Sequence, residues 1–220
     1  KNAGVVAVYQ KDRFDQFGQF ARIGTGSMGG KGRGLAFINH CLWQEDFSMD
    51  NSLLHVQLPK TVIICTDVFS RFMLDNQLYP IALSQASDEE ILEAFLQSAL
   101  SADVIDDLLH LLRNGSSPIA VRSSSLLEDS HYQPFAGVYS TYMVPRSSSL
   151  QETLLHVQAA IKAVYASVFY RNSKNYLSAT QNLIDQEKMA IVLQEVVGTE
   201  HADGLYYPSF SGVAQSVNYY

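Results

Sequence analysis

The chain has 220 residues, of which 47% are hydrophobic and 17% charged, so it has the composition of a folded protein and the length for one large domain or two small lobes. Its net charge of −7 argues against a general nucleic-acid binder, while still allowing positive charge to gather in a cleft. Cys41 and Cys65 lack CxxC spacing and read as buried thiols of a reducing, cytoplasmic setting; no apolar run approaches the roughly 20 residues of a membrane span, and no signal-peptide pattern opens the chain.

Residues 1–23 are mixed polar and aromatic and carry no assignable period. Residues 24–34 hold six glycines around Lys31, and a helical pattern follows over 35–43. A glycine-rich loop that opens a helix presents backbone N–H groups to anions. Its spacing is neither that of a Walker A loop nor that of a dinucleotide fingerprint. Residues 61–66 read as a buried strand and 68–76 as a helix with Phe69, Phe72 and Met73 on one face. Ser87 and Glu90 form a capping-box pattern that starts a long amphipathic stretch, broken near 101–103 and ended by Asn114 and Gly115. A strand over 118–123, a serine-rich loop and a strand over 138–144 come next. Ser149 and Glu152 repeat the capping-box pattern before a helix to about 170. A strong strand covers 189–197, and a strand pair or edge segment lies beyond 204. The seam between two lobes is expected at 114–118, giving an N-terminal lobe over 1–117 and a second lobe over 118–220. The class is α/β (α+β), with a mixed to antiparallel sheet.

The run Ile-Ala-Val-Arg-Ser-Ser-Ser-Leu-Leu-Glu-Asp-Ser at 119–130, followed by Phe-Ala-Gly at 135–137, carries the most chemistry. A buried strand delivers Arg122 into a hydroxyl-rich loop, which suits a polyanion such as a triphosphate. The alternative is a structural pair of Arg122 with Glu128 or Asp129. Ser123, Ser124 and Ser125 either donate to phosphates or shape a turn. Lys31 either covers phosphate oxygens or is a solvated lysine. Gly137 allows close backbone approach or a bulge. Gln194 and Glu195 end an apolar strand, where an unpaired polar side chain is costly. His40, His55, His110, His131, His156 and His201 lack ligand spacing, and no metal ligands are assigned in the chain.

Those residues resemble the nucleotide-binding domain of the phosphoenolpyruvate synthase and pyruvate phosphate dikinase family. The Val-Arg-Ser-Ser run with Phe-Ala-Gly matches its signature. Gly-Gly-Lys-Gly at 29–32 matches its N-terminal segment, and 192–197 with Ser-Gly-Val-Ala at 211–214 match two later segments. The resemblance implies an ATP-grasp-like fold with ATP as ligand. It implies a parent phosphotransferase in which ATP phosphorylates a histidine on a separate domain and that phosphate passes to pyruvate. It places Lys31 and Arg122 on the phosphates, Gly137 and Thr141 along the cleft, and Gln194 and Glu195 on the adenine side; Thr141 is otherwise an ordinary strand threonine. It also implies magnesium, held by ligands outside this chain, and phosphohistidine and pyruvate-binding domains as partners, so this chain alone is expected to be inactive. Two departures stand out: Val138 where the family has Gln, and Gln215-Ser216 where it has Phe-Thr. Related phosphotransferases with antibiotic or glucan acceptors, and a non-catalytic nucleotide-binding module, are the alternatives.

Overall fold

Thr61, Val62, Ile63 and Ile64 are all β-branched, and they form β3 (Thr61–Ile64), a strand buried on both faces at the middle of the sheet. The computed structural model describes residues 7–10, 19–44, 56–125, 139–179 and 187–213. The other sheet strands are β1 (Ala7–Val8), β2 (Phe20–Ile23), β4 (Ile119–Ser124), β5 (Thr141–Val144) and β6 (Ala190–Glu195), in the order β1-β2-β3-β6-β4-β5. β1, β2 and β3 run parallel. β6 is antiparallel to both β3 and β4, and β5 is antiparallel to β4. The α/β class and the mixed sheet are therefore as expected. The sheet continues across residue 117, because β6 joins β3 to β4. β7 (Thr199–Glu200) and β8 (Tyr206–Tyr207) form a separate two-stranded ribbon.

Alternation of side chains gives the sheet two different faces. One carries Ala21, Ile23, Val62, Ile64, Ile119, Val121, Ile191 and Leu193 into the main core. That core is closed by α2 (Thr66–Asp75), α4 (Asp88–Gln97), α5 (Ala102–Arg113) and α6 (Leu150–Ser167), with short α3 (Tyr79–Ala82) and α7 (Arg171–Ala179) at its margin. Phe69 and Tyr165 meet edge-to-face at its centre, with ring centroids 5.0 Å apart. The opposite face presents Phe20, Ile63, Ala190 and Val192 to Met28, Leu35, Ala36 and Leu42, which belong to or immediately precede α1 (Gly29–Gln44). Among the described residues no helix is long and apolar enough to cross a membrane.

The structure departs from the sequence pattern at several local points. The helix expected over 35–43 begins at Gly29, so Lys31 and Arg33 lie in its first turns rather than in a loop. β2 lies in the segment without a readable period. The first capping box is complete: Ser87 accepts from the Glu90 N–H at 3.2 Å and the Ser87 N–H donates to the Glu90 carboxylate at 2.8 Å. The second is only half formed. Ser149 accepts from the Glu152 N–H at 3.3 Å, but the Glu152 carboxylate takes the Ser147 hydroxyl instead. α6 stops at Ser167, three residues early. The Ser167 hydroxyl turns back onto the Val164 carbonyl at 2.7 Å, and the Ser167 carbonyl accepts from the Ser173 hydroxyl at 2.7 Å.

Candidate functional site

The site is built where the start of α1 lies against the end of β4. Gly29 has φ +68°, a left-handed conformation, and a Cβ there would overlap the Ser124 carbonyl. The Gly30 N–H donates to the Ser125 carbonyl at 2.9 Å. The Gly32 N–H donates to the Ser124 hydroxyl at 3.0 Å, and that hydroxyl donates to the Met28 carbonyl at 2.8 Å. Ser124 is thus a buried brace for the helix start. Lys31, within the same first turn, donates from Nζ to the Ser123 carbonyl at 3.1 Å, which holds its ammonium at the strand that carries Arg122.

The N–H groups just upstream already meet an anion of the chain itself. Asp67, in the first turn of α2, accepts from the Thr25 N–H at 3.0 Å and the Gly26 N–H at 2.9 Å, and from the Thr25 hydroxyl at 3.3 Å. The Ser27 N–H goes to the Thr66 hydroxyl at 3.0 Å. The expected offer of loop N–H groups to a bound anion is therefore largely taken up internally. Partial burial pushes the Asp67 carboxyl up, but the hydrogen bonds from Thr25, Gly26 and its own backbone outweigh it and leave its pKa lowered. Asp67 also accounts for two glycines, because a Cβ on Gly24 or Gly26 would crowd its carboxylate.

Arg122 projects on the α1 face of the sheet. It is paired with Thr141 of β5 on one side and Val192 of β6 on the other. Directly cross-strand positions bring side chains into contact range, so Arg122 and Thr141 are neighbours. Gln194 lies two residues beyond Val192 on the same face. Arg122 donates from Nη1 to the Gln194 side-chain oxygen at 3.4 Å, and Gln194 donates from Nε2 to the Thr61 hydroxyl at 3.0 Å. Lys31, Arg122, Thr141 and Gln194 thus lie along β4: Lys31 at the Ser123 carbonyl, Thr141 opposite Arg122, and Gln194 opposite Ala120.

Glu195 is not with them. It follows Gln194 on an extended strand, so its side chain takes the opposite face, where its carboxylate lies beside Gly115. There it faces Arg146, whose guanidinium donates to the Leu112 and Gly115 carbonyls at the end of α5. Burial pulls the Arg146 pKa down and the Glu195 charge holds it up. Gly137, with Glu128, Asp129, His131 and Val138, lies outside the described residues. Two residues with roles here do not stand out in the sequence reading. Asp67 has a signal, an acid directly after a buried strand. Thr61 has none, since it reads as one more β-branched residue.

The family model described as "Pyruvate phosphate dikinase, AMP/ATP-binding domain" matches residues 25–220. The chain belongs to this family. A Bacillus subtilis (strain 168) protein described as "Uncharacterized phosphotransferase YvkC" is 32% identical over 146 residues, covering 65% of this chain. The chain spans 16% of the length of that curated relative. The chain is accordingly an ATP-binding-type region related to pyruvate phosphate dikinase. Its helix start, β4 and β6 all fall within the matched residues.

Proposed function

We propose that the chain binds ATP along β4, with Lys31 and Arg122 on the phosphates, Thr141 along the cleft and Gln194 towards the base. The observation that carries this reading is that a helix-borne ammonium and a strand-borne guanidinium are both held on β4, within a family whose description names AMP and ATP. Two basic side chains set on secondary structure fit a polyphosphate better than they fit a neutral ligand. The guanidinium offers planar paired donors, while the ammonium acts as a compact charge on a flexible stem. Bound ATP would supply the phosphoryl group; the residues here bind and orient it and neutralise its charge. Gly137 would complete the cleft wall. Glu195, on the far face of β6, would act on the base through its backbone alone.

In the parent protein, ATP would phosphorylate a histidine on a separate domain, and the phosphate would then pass to pyruvate, as in phosphoenolpyruvate synthase. Such a protein would work in the cytoplasm, with the phosphohistidine and pyruvate-binding domains as its partners. A different acceptor, antibiotic or glucan, is the second reading; the Bacillus relative is described as a phosphotransferase, which fits either acceptor. Magnesium would be held by ligands outside this chain and would neutralise phosphate charge when bound; among the described residues no three His, Cys, Asp or Glu side chains gather to hold a metal ion.

Calorimetric titration with ATP, beside the Arg122→Ala protein, tests the reading. The expected loss is about 1.5–3 kcal/mol, the range of a charge-assisted hydrogen bond. Equal affinity in the two proteins would remove Arg122 from the site.

A further inference from the structure

Thr61 is a polar side chain with no exposure at all, at the start of a strand whose other side chains are apolar. Its hydroxyl has one proton, and that proton is committed to the Pro59 carbonyl at 2.7 Å. Toward Gln194, 133 residues further along the chain, Thr61 is therefore an acceptor only, and the Gln194 amide must turn its NH2 to it, at 3.0 Å. That leaves the amide oxygen for Arg122, whose guanidinium can only donate. The reversed amide would set oxygen against oxygen at Thr61 and NH2 against guanidinium at Arg122. Both ends of the amide thus demand the same orientation. The chain of bonds runs from Arg122 through Gln194 and Thr61 to the backbone of Pro59.

We infer that Thr61 is a positioning residue of the nucleotide site: it fixes the Gln194 amide so that the amide oxygen holds the Arg122 guanidinium in place. The inference rests on the ATP reading above and adds a residue that touches no ligand. Without the Thr61 hydroxyl, the half-buried Gln194 NH2 loses its acceptor, and the amide is no longer tied to one orientation. Arg122 then has to be ordered by the ligand, at a cost in affinity.

The test is a set of ATP titrations on the full chain. Thr61→Val keeps shape and β-propensity and removes only the hydroxyl; it is expected to weaken ATP binding by about tenfold, the size of one ordinary hydrogen bond. Thr61→Ser restores the hydroxyl and is expected to recover most of that loss. In an Arg122→Ala background, Thr61→Val is expected to cost nothing further, because the relay then has no end to act on. Gln194→Met offers a second route into the relay if Thr61→Val does not fold; it is expected to weaken ATP at least as much, and in the same background the share of its loss that passes through Arg122 is expected to vanish, leaving only what its side chain contributes at the base.

If Arg122→Ala weakens ATP binding while Thr61→Val and Gln194→Met bind as the parent does, the inference falls and the ATP reading stands. Equal losses with and without Arg122 mean a purely structural role and also overturn the inference. A parent chain that does not bind ATP overturns both.

Discussion

The α-carbon of Gly29 lies so close to the Ser124 carbonyl that no side chain fits between them, and Gly29 holds a left-handed φ of +68°. Five residues along, Gly34 is an exposed helical position with nothing within 4 Å of the place a β-carbon would take. Alanine should therefore have opposite effects at two glycines of one motif. Gly29→Ala combines left-handed strain with a backbone clash and is expected to cost about 3 kcal/mol or more. Gly34→Ala is expected to stabilise by about 0.5–1 kcal/mol, the helix-propensity difference. Urea unfolding of the two variants checks this, and a neutral Gly29→Ala would refute the close approach.

Asp67 ties the glycine segment to α2, and its lowered pKa carries a pH dependence with a definite sign. A carboxylate with a folded-state pKa below its unfolded value of about 3.9 contributes stability that is fully present above that value. The contribution is lost as pH falls through the lowered folded pKa. Asp67→Ala is expected to cost about 1 kcal/mol near neutrality, since it removes charge-assisted bonds to Thr25 and Gly26 that solvent weakens at an exposed carboxylate. The gap between parent and variant should narrow as the pH is lowered below about 4. Unfolding curves over pH 7 to 3 measure it; a gap that stays constant over that window would contradict the assigned role.

How far the sequence can be read depends on how local each signal is. Ser87 and Glu90 cap α4 through partners three residues apart, and the β-branched run of β3 declares itself within four. Gly29, Gly30, Gly32 and Gly34 are poor helix formers, so the early start of α1 rests on contacts with Ser124 and Ser125 that no local window contains. β2 has an arginine among its four residues and becomes a strand through pairing with β1 and β3. At the site, Lys31 and Arg122 stand out because cations beside glycines or at the end of an apolar strand need a partner. The placement of Glu195 away from Gln194 follows from strand alternation, yet two adjacent polar residues invite a reading as one unit. Thr61 shows its role only when β3 and β6 are side by side.

The two thiols should separate by reactivity. Cys65 is fully buried, and burial, aided by the Asp67 charge and opposed by Arg22, pushes its pKa up to about 11. The thiolate is the reactive form, so Cys65 is protected by both access and protonation. Cys41 is only half-buried. In a thiol-disulfide assay near neutral pH, the folded protein is expected to react quickly at Cys41 alone, with Cys65 following at the rate of unfolding. Rapid modification of Cys65 in the folded state would contradict its protection by burial.

Tyr165 sits at the centre of the aromatic core, 5.0 Å from Phe69 and 5.5 Å from Phe72 between ring centroids. Its hydroxyl is buried without a hydrogen-bond partner among the described residues. Burial, together with the charges of Asp67 and Cys65, holds its pKa far above the usual tyrosine value, so the hydroxyl stays protonated at any working pH. An unpaired buried hydroxyl costs about 1–3 kcal/mol of desolvation with no bond in return. Tyr165→Phe keeps the ring packing and removes that cost, so it is expected to be neutral or to stabilise by up to about 1–2 kcal/mol. Tyr165→Ala, which empties the ring's place, is expected to cost about 3–5 kcal/mol. Chemical unfolding of the pair separates the hydroxyl from the ring: a Tyr165→Phe protein destabilised by more than about 1 kcal/mol would mean that the hydroxyl has a partner after all.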